Sequence, residues 1–421
     1  VHKSKIMMLS DSVLTSTGYS NQTMNILNRL TNYECHAQCH NYMGQSIPPG
    51  LKLKDGTTFD FWIHGNGSVP YSQDLLSPRI KELEIDIFGV LLDTFMCFPW
   101  LIEKDLAPAK TFFYFPTDGE NQMPVGCENI LRKIHFPVCM SKFGQEQCAV
   151  KYGINVDHIP HGVDSTVFKP LTQSKRDTLR KEQTVYSLSN HQLTGVKGAL
   201  WGKYVIGVVA RNQGRKMLDR TFKAMAILKE KVPNAVLFMH SDPLDSASVF
   251  DMELIMKEYK LQNRVFFSGM NFYKGFEHSE MNDMYNLMDV FYLSTSGEGF
   301  GIPIIEAMSA GVPPIVTDYT TTKELIIDNG QCGEAVNLIG ETGPHTNMVY
   351  QPLTNGTILG NWGVERGVCD IFDAAKKLEK LTDIKLRKKY AKIGREKVLK
   401  IYDWKVVMKQ WQAFFKKIME A

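Results

Sequence analysis

Runs of apolar residues alternate with stretches of helical spacing along almost the whole chain, which is the pattern of a parallel sheet covered by helices. Ile6-Met7-Met8-Leu9 reads as a first strand. It opens into the turn Ser16-Thr17-Gly18-Tyr19-Ser20, after which Met24, Ile26, Leu27 and Leu30 fall at helical spacing. Further strands are expected at 33–38, 59–64, 87–92, 111–115 and 136–140, which completes one doubly wound domain. Ile159-Pro160-His161-Gly162-Val163-Asp164 closes that half. Residues 171–203 are polar, with room for a short helix over 174–183, and read as an interdomain linker. The pattern then restarts. Strands are expected at 204–210, 235–240, 265–268 and 290–294, separated by helices at 218–230, 250–259 and 282–287, the order of a second nucleotide-binding-type domain.

Residues 340–367 are rich in Gly, Pro, Asn and Thr and read as a long inserted loop. Two basic helices follow, at 371–381 and 386–401. In the tail, Trp404, Val407, Met408, Trp411, Phe414, Phe415 and Ile418 form an apolar stripe at helical spacing. The organisation expected is a Rossmann-like domain over 1–170, a linker over 171–203, a second Rossmann-like domain over 204–400, and a helix over 401–421 packing back on the first.

Composition fits that division, because 421 residues exceed what one core comfortably serves. With 22% charged and 43% apolar residues, the chain has the make-up of a folded globular protein. A net charge of +3 is far from the footprint of a dedicated nucleic-acid binder. The eight cysteines are scattered among apolar neighbours and read as reduced and buried. Cys35-His36-Ala37-Gln38-Cys39-His40 could be weighed as a metal site, but its alternation suits a strand, and no metal is expected. The apolar stretch 87–102 is broken by Asp93 and Pro99, so no membrane span and no secretory signal are read. A cytoplasmic location is expected, with at most peripheral membrane contact through Lys405, Lys409, Lys416 and Lys417.

The most informative segment runs from Ser294 to Met308, Ser-Thr-Ser-Gly-Glu-Gly-Phe-Gly-Ile-Pro-Ile-Ile-Glu-Ala-Met. It begins where a strand ends, passes Gly297, Gly299 and Gly301, and enters a helix with a proline in its first turn. Free backbone N–H groups and the positive helix end suit a phosphate there. Glu298 and Glu306 cannot serve phosphate; they suit sugar hydroxyls, which donate to carboxylates. A second element, Arg211-Asn212-Gln213-Gly214-Arg215-Lys216, follows the first strand of the same half. Arg211 and Lys216 there point into the crevice where open α/β sheets bind ligands.

Taken together, these stretches resemble the retaining glycosyltransferases of family 4 (glycosyl transferases group 1). The resemblance rests on residues 211–216, Phe267-Ser268-Gly269, residues 298–311, and His161-Gly162-Val163-Asp164 with Phe168 and Pro170. It spans most of the chain from Ile6 to about Val336, and again the terminal helices, and is strongest from Tyr204 to Val336. It implies an α/β fold of the GT-B type: two facing Rossmann-like, doubly wound parallel-sheet domains with a cleft between them. The first domain would take the acceptor and the second the nucleotide-sugar donor. Arg211 and Lys216 would neutralise the donor diphosphate as it leaves. Glu298, with the N–H groups of Gly299, Phe300 and Gly301, would hold the transferred sugar and the phosphate. Glu306 would bind the ribose, while Met270 and Asn271, just after Gly269, would border the base. Donor or substrate contacts would extend to Gly297, Ile302 and Thr320, and in the first domain to Gly18, Tyr19 and His161.

Two departures from the family pattern fall on the acceptor side, and a third lies in the second half, where small residues before an acid are usual and the chain reads Tyr319-Thr320-Thr321-Thr322-Lys323-Glu324. The first loop has Gly18-Tyr19 where paired glycines are usual, and Thr117-Asp118 stands where His-Asp is frequent. The resemblance implies transfer of a sugar from a nucleotide sugar to a hydroxyl acceptor, with retention and without a cofactor. An inverted product would make Asp118 the candidate general base. Arg211→Ala or Lys216→Ala is expected to remove activity with little loss of stability. Rival readings are a sugar-nucleotide epimerase or glycan phosphorylase on the same scaffold, and a non-catalytic nucleotide-binding protein.

Overall fold

The computed structural model describes residues 3–53, 56–120, 126–270, 276, 278–339, 351–352, 357–359 and 364–421. Two compact units emerge, one mainly of Val1–Gly162 and Trp404–Ala421, the other mainly of Val163–Asn361 and Glu365–Asp403.

The first unit holds a seven-stranded parallel sheet. Its strands are β1 (Lys5–Ser10), β2 (Glu34–Cys39), β3 (Trp62–His64), β4 (Ile87–Leu91), β5 (Lys110–Phe115), β6 (Phe136–Cys139) and β7 (Asp157–His158), in the order β3-β2-β1-β4-β5-β6-β7. Strands covered on both faces need apolar residues at every position, and Ile6, Met7, Met8 and Leu9 are all inaccessible to solvent. All eight cysteines are buried free thiols. Helix α1 (Gly18–Asn28) starts at Thr17, whose hydroxyl accepts from Ser20 N–H while the Ser20 hydroxyl accepts from Thr17 N–H, a reciprocal cap.

The terminal helix Trp404–Glu420 belongs to this unit. Its stripe is buried: Trp411 meets Tyr114 edge-on at 4.9 Å, and Phe414 and Phe415 flank Phe112 at 5.7 and 5.6 Å. Burial of three such aromatics makes this helix a structural part of the unit, since truncating one of them typically costs ~3–5 kcal/mol. No helix among the described residues is long and apolar enough to cross a membrane.

Among the described residues, the main sheet of the second unit has eight strands: β8 (Thr184–Ser189), β9 (Gln192–Lys197), β10 (Tyr204–Val209), β11 (Ala235–His240), β12 (Val265–Phe267), β13 (Val290–Leu293), β14 (Pro314–Thr317) and β15 (Glu334–Val336). Their order is β9-β8-β12-β11-β10-β13-β14-β15. The strands from β12 to β15 in that order pair in parallel, while β8 runs antiparallel to both β9 and β12. Residues 171–203, read from the sequence as a linker, form the helix Gln173–Glu182 and the β8–β9 hairpin, which extends this sheet. Within 340–367, the described residues include three short antiparallel strands, Gln351–Pro352, Thr357–Leu359 and Glu365–Gly367, in a small sheet of their own. The strand order reverses at β10, whose neighbours β11 and β13 lie on opposite sides. Such a switch point leaves a crevice beyond the carboxyl ends of β10 and β13, where open α/β sheets receive ligands.

Candidate active site

Both sequence segments singled out above leave the sheet at that switch point. Residues 210–217 follow β10, and residues 294–301 follow β13 before helix α2 (Ile302–Ser309). Short hydroxyl side chains lace the two together. The Ser294 hydroxyl donates to the Met217 carbonyl at 2.8 Å, and Ser296 donates to the Arg215 carbonyl through its backbone N–H at 2.7 Å and its hydroxyl at 2.9 Å. The basic turn is therefore docked on the glycine loop instead of extending as a solvated surface turn.

Glu298 is the electrostatic centre. Its Oε1 accepts from Lys216 Nζ at 2.5 Å and its Oε2 from Arg215 Nη1 at 3.2 Å, and Arg215 also donates to the Gly297 carbonyl at 3.2 Å. The side chains of Lys216 and Glu298 are only 9% and 8% exposed. Burial by itself would raise the Glu298 carboxyl, but Lys216 and then Arg215 outweigh it and hold the group down at about 2. Glu298 is thus a carboxylate at any physiological pH. Its backbone N–H donates to the Thr320 hydroxyl at 3.1 Å. Thr320 holds a left-handed backbone with φ 53°, a costly conformation for a β-branched residue, worth ~1–3 kcal/mol. Gly301 also turns through positive φ, 101°, and a Cβ there would come within 2.7 Å of Ile304 Cδ1. Gly301 caps the start of α2, whose first backbone N–H groups have no intrahelical acceptor.

Arg211 stands at the mouth, its side chain 36% exposed, with Nε donating to Asp245 Oδ2 at 3.1 Å. Glu306, one turn into α2, accepts from the Tyr285 hydroxyl at 2.7 Å. Desolvation raises its carboxyl to about 7, and the Tyr285 hydrogen bond opposes that shift. Two carboxylates of the same loop and helix thus differ sharply in acidity because only Glu298 has cations beside it.

The second unit therefore gathers Arg211, Lys216, Gly297, Glu298, Gly299, Phe300, Gly301, Ile302, Glu306 and Thr320 on neighbouring sheet ends and one helix. Gly269 and Met270 follow β12; Gly269 takes φ 76° and Met270 N–H donates to the Ser268 hydroxyl at 3.3 Å. Asn271 lies outside the described residues. Gly18, Tyr19, Asp118 and His161 lie in the first unit. There Gly18 is the exposed first residue of α1, Tyr19 donates its hydroxyl to Asp93 at 2.7 Å, and Asp118 follows β5. His161 is buried, paired with the Tyr114 hydroxyl at 2.8 Å, and burial lowers it to about 3, so its ring is neutral. Sequence reading passed over Arg215, Asp245 and Tyr285 as members of the site. Only Arg215 carried a signal, a third cation beside Lys216.

Residues 196–337 match the family described as Glycosyl transferases group 1. Among curated relatives, the mannosylfructose-phosphate synthase of Agrobacterium fabrum is 29% identical over 174 residues, 39% of this chain and 34% of that protein. The lipopolysaccharide core biosynthesis mannosyltransferase LpsB of Rhizobium meliloti is 29% identical over 233 residues, 54% of this chain and 58% of that protein. The chain thus spans about a third of the first and under three fifths of the second. Among solved structures, sucrose-phosphate synthase from Thermosynechococcus elongatus superposes with a TM-score of 0.72 at 15% identity, over 99% of this chain and 100% of that one. Anabaena Alr3699/HepE, solved with UDP and glucose, gives 0.67 at 14% identity, over 98% and 100%. At such identities the likeness is one of fold.

Proposed function

Since the second unit carries a glycosyl transferases group 1 domain on a GT-B fold, we propose that the chain moves a sugar from a nucleoside-diphosphate sugar to a hydroxyl acceptor. The observation that carries this reading is the docking of Arg215 and Lys216 on the glycine loop that opens α2, with Arg211 at its mouth. Breaking the bond from the anomeric carbon to the diphosphate leaves negative charge on the departing oxygen and positive charge on the ring. In this reading Arg211, Lys216 and the N–H groups of residues 299–301 answer the first charge; the ionised Glu298 on the same loop answers the second and accepts from sugar hydroxyls. That the Anabaena neighbour was solved with UDP and glucose supports a nucleotide-sugar donor.

In this reading, transfer is retaining and fixed cations replace a metal. Release of nucleoside diphosphate that depends on an added hydroxyl acceptor, undiminished by EDTA, is the expected assay result. Acceptor-independent turnover would favour an epimerase or a phosphorylase, and loss in EDTA restored by manganese would contradict the metal-free step.

Glu306 gives the donor site a pH dependence. Ribose hydroxyls donate best to an ionised carboxylate, and Glu306 loses its proton only near pH 7. Its ionised fraction rises about tenfold between pH 6 and 8, so affinity for a sugar nucleotide, which has no group titrating there, is expected to rise about tenfold with it. Glu306→Gln should flatten the profile in calorimetric titrations; a wild-type profile already flat would remove Glu306 from the ribose site.

A further inference from the structure

Strand β11 ends at the carboxyl edge in His240-Ser241, between β10, which leads to Arg211, and β12, which leads to Gly269 and Met270. The pairing is direct on both sides: Ala210 N–H donates to the His240 carbonyl at 3.3 Å, and Ser268 N–H donates to the Met239 carbonyl at 3.0 Å. His240 is 7% exposed and Ser241 fully buried, yet His240 Nδ1 and the Ser241 hydroxyl have no hydrogen-bond partner among the described residues. Along the same sheet edge the buried hydroxyls of Ser294, Thr295 and Thr321 are bonded, while Thr317 Oγ1 at the end of β14 is a further one without a partner among the described residues.

Two adjacent unsatisfied polar groups are costly in a folded interior, where most such groups find a partner. Their position at the ligand edge, next to the proposed diphosphate site, supplies a reason for keeping them. Burial lowers His240 to about 4, so it is a neutral imidazole with one donor and one acceptor. A neutral ring is unsuited to a phosphate and suited to an uncharged hydrogen-bonding edge. The Phe276 ring lies edge-on to it, with centroids 4.9 Å apart, and adds an aromatic surface of the kind on which a planar base packs.

We propose that His240 and Ser241 form the hydrogen-bonding floor of a nucleoside subsite, with Phe276 as its aromatic wall. This rests on the reading of Arg211 and Lys216 as diphosphate ligands, since the diphosphate fixes where the nucleoside lies. The nucleoside passes the Phe276 ring to reach His240 and pairs with groups that otherwise have no partner. Base preference is then set at this strand end as well as in the loop after Gly269.

Calorimetric titration of the full chain with UDP, GDP, ADP and inorganic pyrophosphate tests it, with His240→Phe and Ser241→Ala as variants. Removing an unsatisfied buried group does not weaken the apo protein, so each variant is expected to melt at or above the wild-type temperature. Each should nevertheless bind the preferred nucleoside diphosphate about tenfold more weakly while its affinity for pyrophosphate stays unchanged. Nucleoside diphosphate affinity unaltered in both variants would overturn the proposal, as would equal losses for pyrophosphate. Failure of the diphosphate reading has a different signature, in which the wild-type chain binds neither pyrophosphate nor any nucleoside diphosphate.

Discussion

Lys216→Met is expected to lower kcat/KM for transfer by at least about a hundredfold and to destabilise the second unit. The kinetic loss follows from removing a fixed cation from the leaving diphosphate, where deletion of one preorganised donor commonly costs ~10²–10³ in rate. The stability loss follows from the pairing found here. Lys216 is buried against Glu298 at 2.5 Å, and removing it leaves a buried carboxylate with Arg215 as its remaining cationic neighbour. Breaking a buried pair from one side costs ~3–5 kcal/mol, which corrects the expectation, from sequence alone, of little stability loss at this position. The double variant Lys216→Met with Glu298→Gln separates the two effects. Denaturant unfolding should show much of the lost stability regained, whereas activity should stay low. If the single variant retained transfer within tenfold of wild type, Lys216 would be a structural counter-ion and not a ligand of the donor.

Arg211→Ala is expected to cost a similar factor in activity, about a hundredfold, with almost no change in stability. Its side chain is more than a third exposed and its ion pair with Asp245 is of the kind worth ~1 kcal/mol or less. Steady-state kinetics beside a thermal melt would show the contrast. Here the kinetic and structural roles come apart in a single substitution, so Arg211→Ala is the cleaner test of charge neutralisation. An Arg211→Ala enzyme with unchanged kcat/KM, or one that fails to fold, contradicts this assignment.

Much of the sheet architecture is legible because parallel strands are buried on both faces. Ile6-Met7-Met8-Leu9 and Val290-Phe291-Tyr292-Leu293 are uninterrupted apolar runs that no surface element would carry. The β8–β9 hairpin escaped for the opposite reason. Only Val185 and Leu188 of its twelve residues are buried, so its alternation is too shallow to distinguish an edge hairpin from a polar connection. At the site, Gly301 announces itself because its positive φ favours glycine. Thr320 carries no such mark, since a β-branched residue in a left-handed turn runs against its own preference. The partners of Arg215 and Tyr285 were hidden by distance along the chain: one meets Glu298, 83 residues on, and the other Glu306, 21 residues on. Such pairs exist only once β10, β13 and α2 have been brought together. The ionisation contrast between Glu298 and Glu306 was equally out of reach, since it depends on which carboxylate has cations beside it.

The most direct measurement is a crystal structure of the full chain with a sugar nucleotide bound. The pyrophosphate is predicted to lie at the carboxyl ends of β10 and β13, within hydrogen-bond distance of Arg211, Lys216 and the backbone N–H groups of residues 299–301. A pyrophosphate bound elsewhere, with Lys216 and Glu298 still closed on each other and the mouth at Arg211 unoccupied, would contradict it.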